Sequence, residues 1–266
     1  MAYVISKDTH LHRSYNIQKS IFWWTFGLGL FVFGLWLLII FGIEKPPLGL
    51  LLSCPIVSFC LLIFAKTRYS ELAILAAGIR GEKQTLELLK SLDSEHWIVT
   101  DKTITYKGQS SEMDFVVVGP TGVCIIESKH ISGKVIADPA DKYWKRVKVS
   151  HSGVERTRNF YNPVKQVNTH LYRLKKLLQE EGISVHLDSA VFFSDPETQV
   201  RLTNKGETPV FWGEKGKELL LSFIRKSRNP LTPQEVLKIT EISIGIKDTP
   251  MPRRQPVDTS ITPHRA

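Results

Sequence analysis

Met113-Asp114-Phe115-Val116-Val117-Val118 and Val123-Cys124-Ile125-Ile126-Glu127-Ser128-Lys129, joined by Gly119-Pro120-Thr121-Gly122, decide the fold of this chain. Two short β-branched runs around a Gly/Pro turn read as neighbouring strands of a buried sheet. In the second run, strict alternation puts Val123, Ile125, Glu127 and Lys129 on one face and Cys124, Ile126 and Ser128 on the other. Burying a charge is costly unless it is paired or bound to a metal, so Asp114, Glu127 and Lys129 need an account. The spacing Asp-x12-Glu-x-Lys supplies one. Two hard oxygen ligands suit Mg²⁺, and a neighbouring ammonium positions or deprotonates a water, which is the chemistry of metal-assisted phosphodiester hydrolysis. The competing account is an exposed Glu-x-Lys ion pair worth under about 1 kcal/mol. The pattern by itself leaves both open.

The turn sets the register. Pro120 cannot take the positive φ of a type I′ or II′ hairpin, so a type I turn with Gly122 left-handed is expected. A direct two-residue loop places Asp114 opposite Glu127, whereas a bulged three-residue loop slips the pairing by one. The site requires the first register or a compensating bulge.

Two helical runs flank the hairpin. Gly78-Ile79-Arg80-Gly81-Glu82-Lys83 opens a helix expected over 82–92, with Glu82, Leu86 and Leu89 on one stripe. Glu82 is either a dipole-stabilised first-turn acid or a third acidic group aimed at the metal. Downstream, Asn162-Pro163 reads as an N-cap and first-turn proline, and Val164, Val167, Leu171, Leu174 and Leu178 form an amphipathic stripe. Gln166, His170 and Arg173 line its flank, where they meet a phosphate, orient a water, or form a solvated edge.

Gly81-Glu82, Asp114, Glu127-x-Lys129, Gly133, Trp144 and Asn162-Pro163-x-x-Gln166, in this order, resemble the nuclease-related domain called NERD, regarded as a branch of the PD-(D/E)xK, restriction-endonuclease-like superfamily. The resemblance covers roughly residues 78 to 195. It implies Asp114 and Glu127 as metal ligands, Lys129 as the catalytic lysine, Glu82 as an auxiliary acid and Gln166 as a supporting polar residue.

Residues 21 to 43 are 23 in number and carry no charge, opening with Trp23 and Trp24, and 48 to 65 are a further 18 uncharged residues containing Pro55. These suit a transmembrane helical hairpin, the second segment being marginal in length or re-entrant. Lys7, Arg13 and Lys19 before it and Lys66, Arg68 and Arg80 after it, against Lys45 between, place both termini in the cytoplasm. Cys54, Cys60 and Cys124 form neither a disulfide framework nor a metal cluster.

The chain holds 35 Lys+Arg and 26 Asp+Glu; residues 1–65 carry four and two of these, leaving a formal +7 on the remainder. That favours polyanions, nucleic acid or anionic lipid. Lys134, Lys142, Lys145, Arg146 and Lys148, around Tyr143 and Trp144, read either as a strand-like stretch along a phosphate backbone or as an edge strand with Trp144 and Val147 inward. Arg156, Arg158 and Lys165 form a second cluster. Walker A, CxxC and Gly-x-Ser-x-Gly motifs are absent, giving no support to ATP, zinc or serine chemistry.

The expected architecture is α/β, a restriction-endonuclease-like mixed central sheet flanked by helices and preceded by a two-helix membrane hairpin. Its expected layout is a cytoplasmic tail (1–20), the hairpin (21–65), a nuclease-like domain (66–245) and a disordered tail (246–266). The expected function is Mg²⁺- or Mn²⁺-dependent hydrolysis of nucleic acid, DNA before RNA. Asp114, Glu127 and the Ser128 carbonyl hold the metal, Lys129, Glu82 and Gln166 assist, and Lys134, Lys145, Arg146, Arg156, Arg158 and Arg173 bind the substrate. The alternatives are a membrane-bound nucleic-acid-binding or scaffold module without turnover, and a lipid-surface protein.

Overall fold

Alternating apolar strands and amphipathic helices build a mixed α/β domain behind two long apolar helices. The computed structural model describes residues 1–5, 10–150, 153–226 and 230–244; the tail expected over 246–266 lies outside them. The elements in chain order are β1 (Tyr3–Ile5), α1 (His10–Gly42), α2 (Leu48–Leu89), β2 (Trp97–Tyr106), β3 (Gln109–Gly119), β4 (Gly122–Lys129), β5 (Gly133–Ala137), β6 (Tyr143–Val149), β7 (Glu155–Tyr161), α3 (Pro163–Glu180), β8 (Leu187–Phe193), β9 (Thr198–Leu202), β10 (Val210–Trp212), α4 (Gly213–Arg225) and α5 (Pro233–Ile244).

Six strands form one sheet in the order β1-β2-β3-β4-β8-β10, and four form a second in the order β7-β6-β5-β9. In the first, β2, β3 and β4 are antiparallel neighbours, while β1 joins β2 and β8 joins β4 in parallel. Alternation sorts its apolar side chains as the sequence predicts. Val116, Val118, Val123 and Ile125 pack in one cluster with Val167, Leu174 and Leu178 of α3; Phe115, Val117, Cys124 and Ile126 pack in another with Leu86 and Leu89 of α2 and Leu220 of α4. The sheet is therefore covered on both faces.

The α1–α2 pair is an antiparallel hairpin. Ser58 Oγ donates to the Gly29 carbonyl at 2.9 Å and Trp36 Nε1 to the Leu51 carbonyl at 3.0 Å. Both helices are long and apolar enough to cross a membrane, and their outward residues are bare: Trp24 is 78% exposed and Leu38 69%. An exposed apolar face of this size marks a membrane or protein interaction surface.

Three features depart from the expectations. Instead of a separate helix over 82–92, α2 runs unbroken from Leu48 to Leu89, because residues 66–81 contain no proline and only two glycines between good helix formers. Within the stretch expected to be a tail, Tyr3–Ile5 pair with Trp97–Val99 as an edge strand. The basic stretch 134–148 is two strands, and β6 lies between β5 and β7 rather than at an edge. Trp144 is buried against Phe193, with Val147 on the other face of the strand.

Candidate functional site

Gly119 pairs with Gly122 and Phe115 with Ile126, so the loop is the direct two-residue one and continuing the register sets Asp114 opposite Glu127. Neither Pro120 nor Thr121 has positive φ, and Gly122 has the positive φ expected of it, at 128°. The glycines at both ends of the loop absorb the twist mismatch of an unprimed turn, and no bulge is needed.

The charged end of this hairpin lies where the two sheets part. β4 and β8 run parallel to Lys129 and Phe193, and the chain then leaves each for β5 and β9. The carboxyl ends of parallel strands at such a divergence form a natural crevice. Glu127 is 1% exposed; its Oε1 accepts from Lys129 Nζ at 2.6 Å. Lys129 Nζ also donates to Gln166 Oε1 at 3.2 Å. Asp114 Oδ2 accepts from the Ser128 N–H at 2.7 Å, locking the β3 acid to the backbone beside Glu127.

α3 delivers Gln166 because Asn162 fixes its start. The Asn162 Oδ1 accepts from the Val164 and Lys165 N–H groups, while its Nδ2 donates to the carbonyls of Asp138, Pro139 and Asp141. Such a cap contributes about 1 kcal/mol. The Trp144 indole donates to the Asp138 carbonyl too, at 2.7 Å. Asn162 and Trp144 are thus architecture for the site and not chemistry within it.

α2 delivers Glu82 because Gly81 lets it approach. A Cβ on Gly81 would lie 2.5 Å from His130 Cβ and 3.0 Å from Ser194 Oγ. One turn on, Thr85 Oγ1 and Ser128 Oγ are 2.7 Å apart, pinning the helix to β4. In the sequence, only the i+4 spacing of Thr85 from Gly81 hints at this contact.

The electrostatics are those of three acids around one ammonium. Burial, then the charges of Asp101 and Glu112, push Glu82 up to about 7 against the pull of Lys129. Burial and the charge of Glu127 hold Asp114 well above the usual carboxylate range, with Lys129 and the Ser128 N–H opposing. Burial draws Lys129 down, but Glu127, Asp114 and Glu82 together outweigh it and keep its pKa above the ordinary lysine value. Three carboxyl groups thus share one ammonium, and burial disfavours the charged forms of Glu82 and Asp114.

Glu127 Oε2 is buried without a hydrogen-bond partner. His170 Nε2 stands 3.4 Å away, yet neither ring nitrogen of His170 makes a hydrogen bond. The short separation is a close approach with poor alignment. A buried carboxylate oxygen left unpaired costs free energy unless something absent from the chain binds it. Carboxyl oxygens in surplus over a single ammonium fit a hard divalent cation that keeps several waters. Among the described residues, no group of three His, Cys, Asp or Glu side chains is placed to hold a metal ion. An ion held here would need backbone carbonyl or water oxygens in addition to Asp114 and Glu127.

The predicted substrate-binding residues separate. Arg146 and Arg158 are direct partners across β6 and β7, and Arg156 partners Lys148. Lys134 and Lys145 project from the opposite face of that sheet. Arg173 is occupied: its guanidinium donates to the Ser110 carbonyl at 2.6 Å, to Gln109 Oε1 at 3.0 Å and to Ser111 Oγ, clamping α3 to the start of β3. An arginine on a polar helix flank looks the same in sequence whether it faces a phosphate or a neighbouring strand.

Comparison with known proteins agrees with this geometry. Residues 77–194 match the family model of the nuclease-related domain. An uncharacterized protein of Bacillus anthracis is 25% identical over 107 residues, which is 39% of this chain and 48% of that protein. The chain thus spans about half the length of that relative. No solved structure matches. The match falls on the segment that brings Glu82, Asp114, Glu127, Lys129 and Gln166 together, and the chain carries a nuclease-related domain, NERD, at residues 77–194.

Proposed function

We propose that the protein is a membrane-anchored, metal-dependent nuclease that hydrolyses phosphodiester bonds of nucleic acid, DNA in the first instance. The observation that carries this reading is the buried, unpartnered Oε2 of Glu127 beside Lys129 in a domain matched to a nuclease-related family. Asp114, Glu127 and the Ser128 carbonyl are the groups to hold Mg²⁺ or Mn²⁺. When bound, the ion neutralises charge on the scissile phosphate and lowers the pKa of an attacking water.

The chain's own residues do the positioning. Glu127 and Gln166 each take one donor of the Lys129 ammonium, which leaves a third for a phosphate oxygen or the water. Gln166 holds Lys129 from the α3 side, so that the ammonium stays at the mouth of the crevice when Glu127 turns to an ion. Glu82, with its carboxyl raised to about 7, is an acid able to exchange a proton near neutral pH. On this reading the α1–α2 hairpin crosses the bilayer twice with both termini and the domain in the cytoplasm, an orientation supported by the excess of Lys and Arg outside the hairpin.

The test is Mg²⁺ and Mn²⁺ titration of the full chain in detergent with fluorescent single- and double-stranded DNA and RNA, beside Asp114→Asn and Glu127→Gln. The full chain is required because β1 and the continuous α2 belong to the domain. Metal-dependent cleavage lowered about 100-fold or more in both variants is the expected result. Binding without cleavage, equal in all three proteins, makes the chain a nucleic-acid-binding module without turnover.

A further inference from the structure

We propose that the groove between the domain-proximal part of α2 and the second sheet binds the phosphate backbone of a nucleic-acid strand as it leaves the catalytic cluster. The inference rests on the nuclease reading above and assigns it a substrate track. The groove has a volume of about 640 Å³, with Arg80 of α2 on one side, Arg146, Lys148 and Arg158 on the other, and His130 and Ser132 between. It starts where the cluster ends, since His130 follows Lys129 and Arg80 precedes Glu82 by two residues.

Its cations are assembled at a cost. Arg146 and Arg158 are direct cross-strand partners and Lys148 lies two residues along β6, so the three share one face. Like charges placed opposite one another destabilise a sheet unless an anion lies over them. The groove's acid, Asp195, stands 3.6 Å from His130 Nε2. Arg146 is set in place: Nε donates to the Ser132 carbonyl at 2.8 Å and Nη2 to Ser132 Oγ at 3.0 Å, leaving other guanidinium donors for a phosphate. Ala73 and Ala77 on the α2 side keep the groove open.

A phosphate in this groove belongs to nucleic acid and not to a lipid headgroup. Arg80 lies fourteen residues beyond Lys66, the first charge after the apolar run, which is about 21 Å along the helix. Electrostatic attraction from a membrane surface fades over roughly 8 Å at physiological ionic strength.

The experiment measures anisotropy of fluorescein-labelled single-stranded DNA with the full chain in phosphatidylcholine nanodiscs and EDTA, so that neither metal nor cleavage intervenes. The double variant Lys148→Glu/Arg158→Glu changes exposed side chains; it gives up the 3.4 Å contact from Lys148 Nζ to Ser132 Oγ and retains Arg146 with its own donors to Ser132. It is expected to bind about ten-fold more weakly or worse, with the salt slope lowered by roughly two. The proposal is overturned if the double variant keeps the parent's affinity, if the parent does not bind, or if Lys134→Glu/Lys145→Glu on the opposite face loses as much. It is also overturned if the double variant loses only binding to phosphatidylserine vesicles, which would assign the groove to the membrane. The two readings fail differently. A failed groove leaves Mg²⁺-dependent cleavage of short substrates in place, and a failed nuclease leaves groove binding without cleavage.

Discussion

The two ends of the β3–β4 hairpin each bury an ionisable side chain, and they treat it in opposite ways. At the turn end His96 is 2% exposed, with Nδ1 2.7 Å from Asp93 Oδ1 and Nε2 3.4 Å from Thr121 Oγ1; Thr121 in turn donates to the Ile224 carbonyl at 2.8 Å. At the open end Glu127 is equally buried, yet one oxygen has no hydrogen-bond partner and acidic groups crowd a single ammonium. A satisfied buried polar group holds a structure together. One left unsatisfied at the far end of the same two strands costs stability unless something outside the chain binds it.

The sharpest way to break that comparison is to remove charges singly at the open end and unfold the metal-free full chain thermally in detergent. Lys129→Met takes away the ammonium and leaves Glu127 and Asp114 facing each other, so it is expected to cost about 3 kcal/mol. Glu127→Gln relieves the excess of acids while an amide keeps the contact to Lys129, so stability is expected to stay level or rise by up to about 1 kcal/mol. Equal destabilisation by both would make Glu127 a tether of the same kind as His96, and the distinction between the two ends would fail.

The turn end is tested by Gly119→Ala. The new Cβ would stand 2.3 Å from His96 Cδ2 and 2.7 Å from Nε2, against a ring held on both sides. Overpacking of this kind is expected to cost about 2 kcal/mol in urea unfolding, with metal-dependent cleavage unchanged below the transition. An alanine accepted for under about 0.5 kcal/mol would mean that the ring moves freely and that the turn end is not the rigid one.

How far these ends could be read from sequence differs for a physical reason. The face shared by Glu127 and Lys129, the cap at Asn162 and the stripe of α3 follow from periods of two and 3.6, which are local properties of the chain. The turn residues permit two registers, and the packing of Gly119 against His96 and of Thr121 against α4 accompanies the direct one. The continuity of α2 was hidden by Lys66, Arg68 and Glu71, whose charges mark the end of an apolar run but do not stop a helix. β1 is three residues long and takes its stability from β2, so no pattern of its own announces it. The parting of the sheets after Lys129 is a tertiary event, and with it came the reassignment of Arg173 to a clamp and the division of the basic residues between two faces.

The smallest effect, and the one that measures how much charge contributes at the satisfied end, concerns Asp93. Burial raises its carboxyl, but the hydrogen bonds from His96 and from the Glu95 N–H and the charge of Arg225 more than offset this, so its pKa lies below the usual carboxylate value. A carboxylate depressed in the folded state contributes stability that is present above its unfolded pKa of about 3.9 and is lost as the pH falls through the folded value. Asp93 is a surface residue, so solvent screening holds the contribution under about 1 kcal/mol. Asp93→Asn keeps an oxygen that can accept from the same two donors and removes only the charge. The variant is therefore expected to be slightly less stable than the parent at pH 7, with the gap closing below about pH 4. Urea midpoints of the two proteins from pH 7 down to about pH 3 read this directly. A gap that persisted undiminished into acid would assign the Asp93–His96 contact to geometry alone, and the turn end would then be held by hydrogen bonding and packing without help from charge.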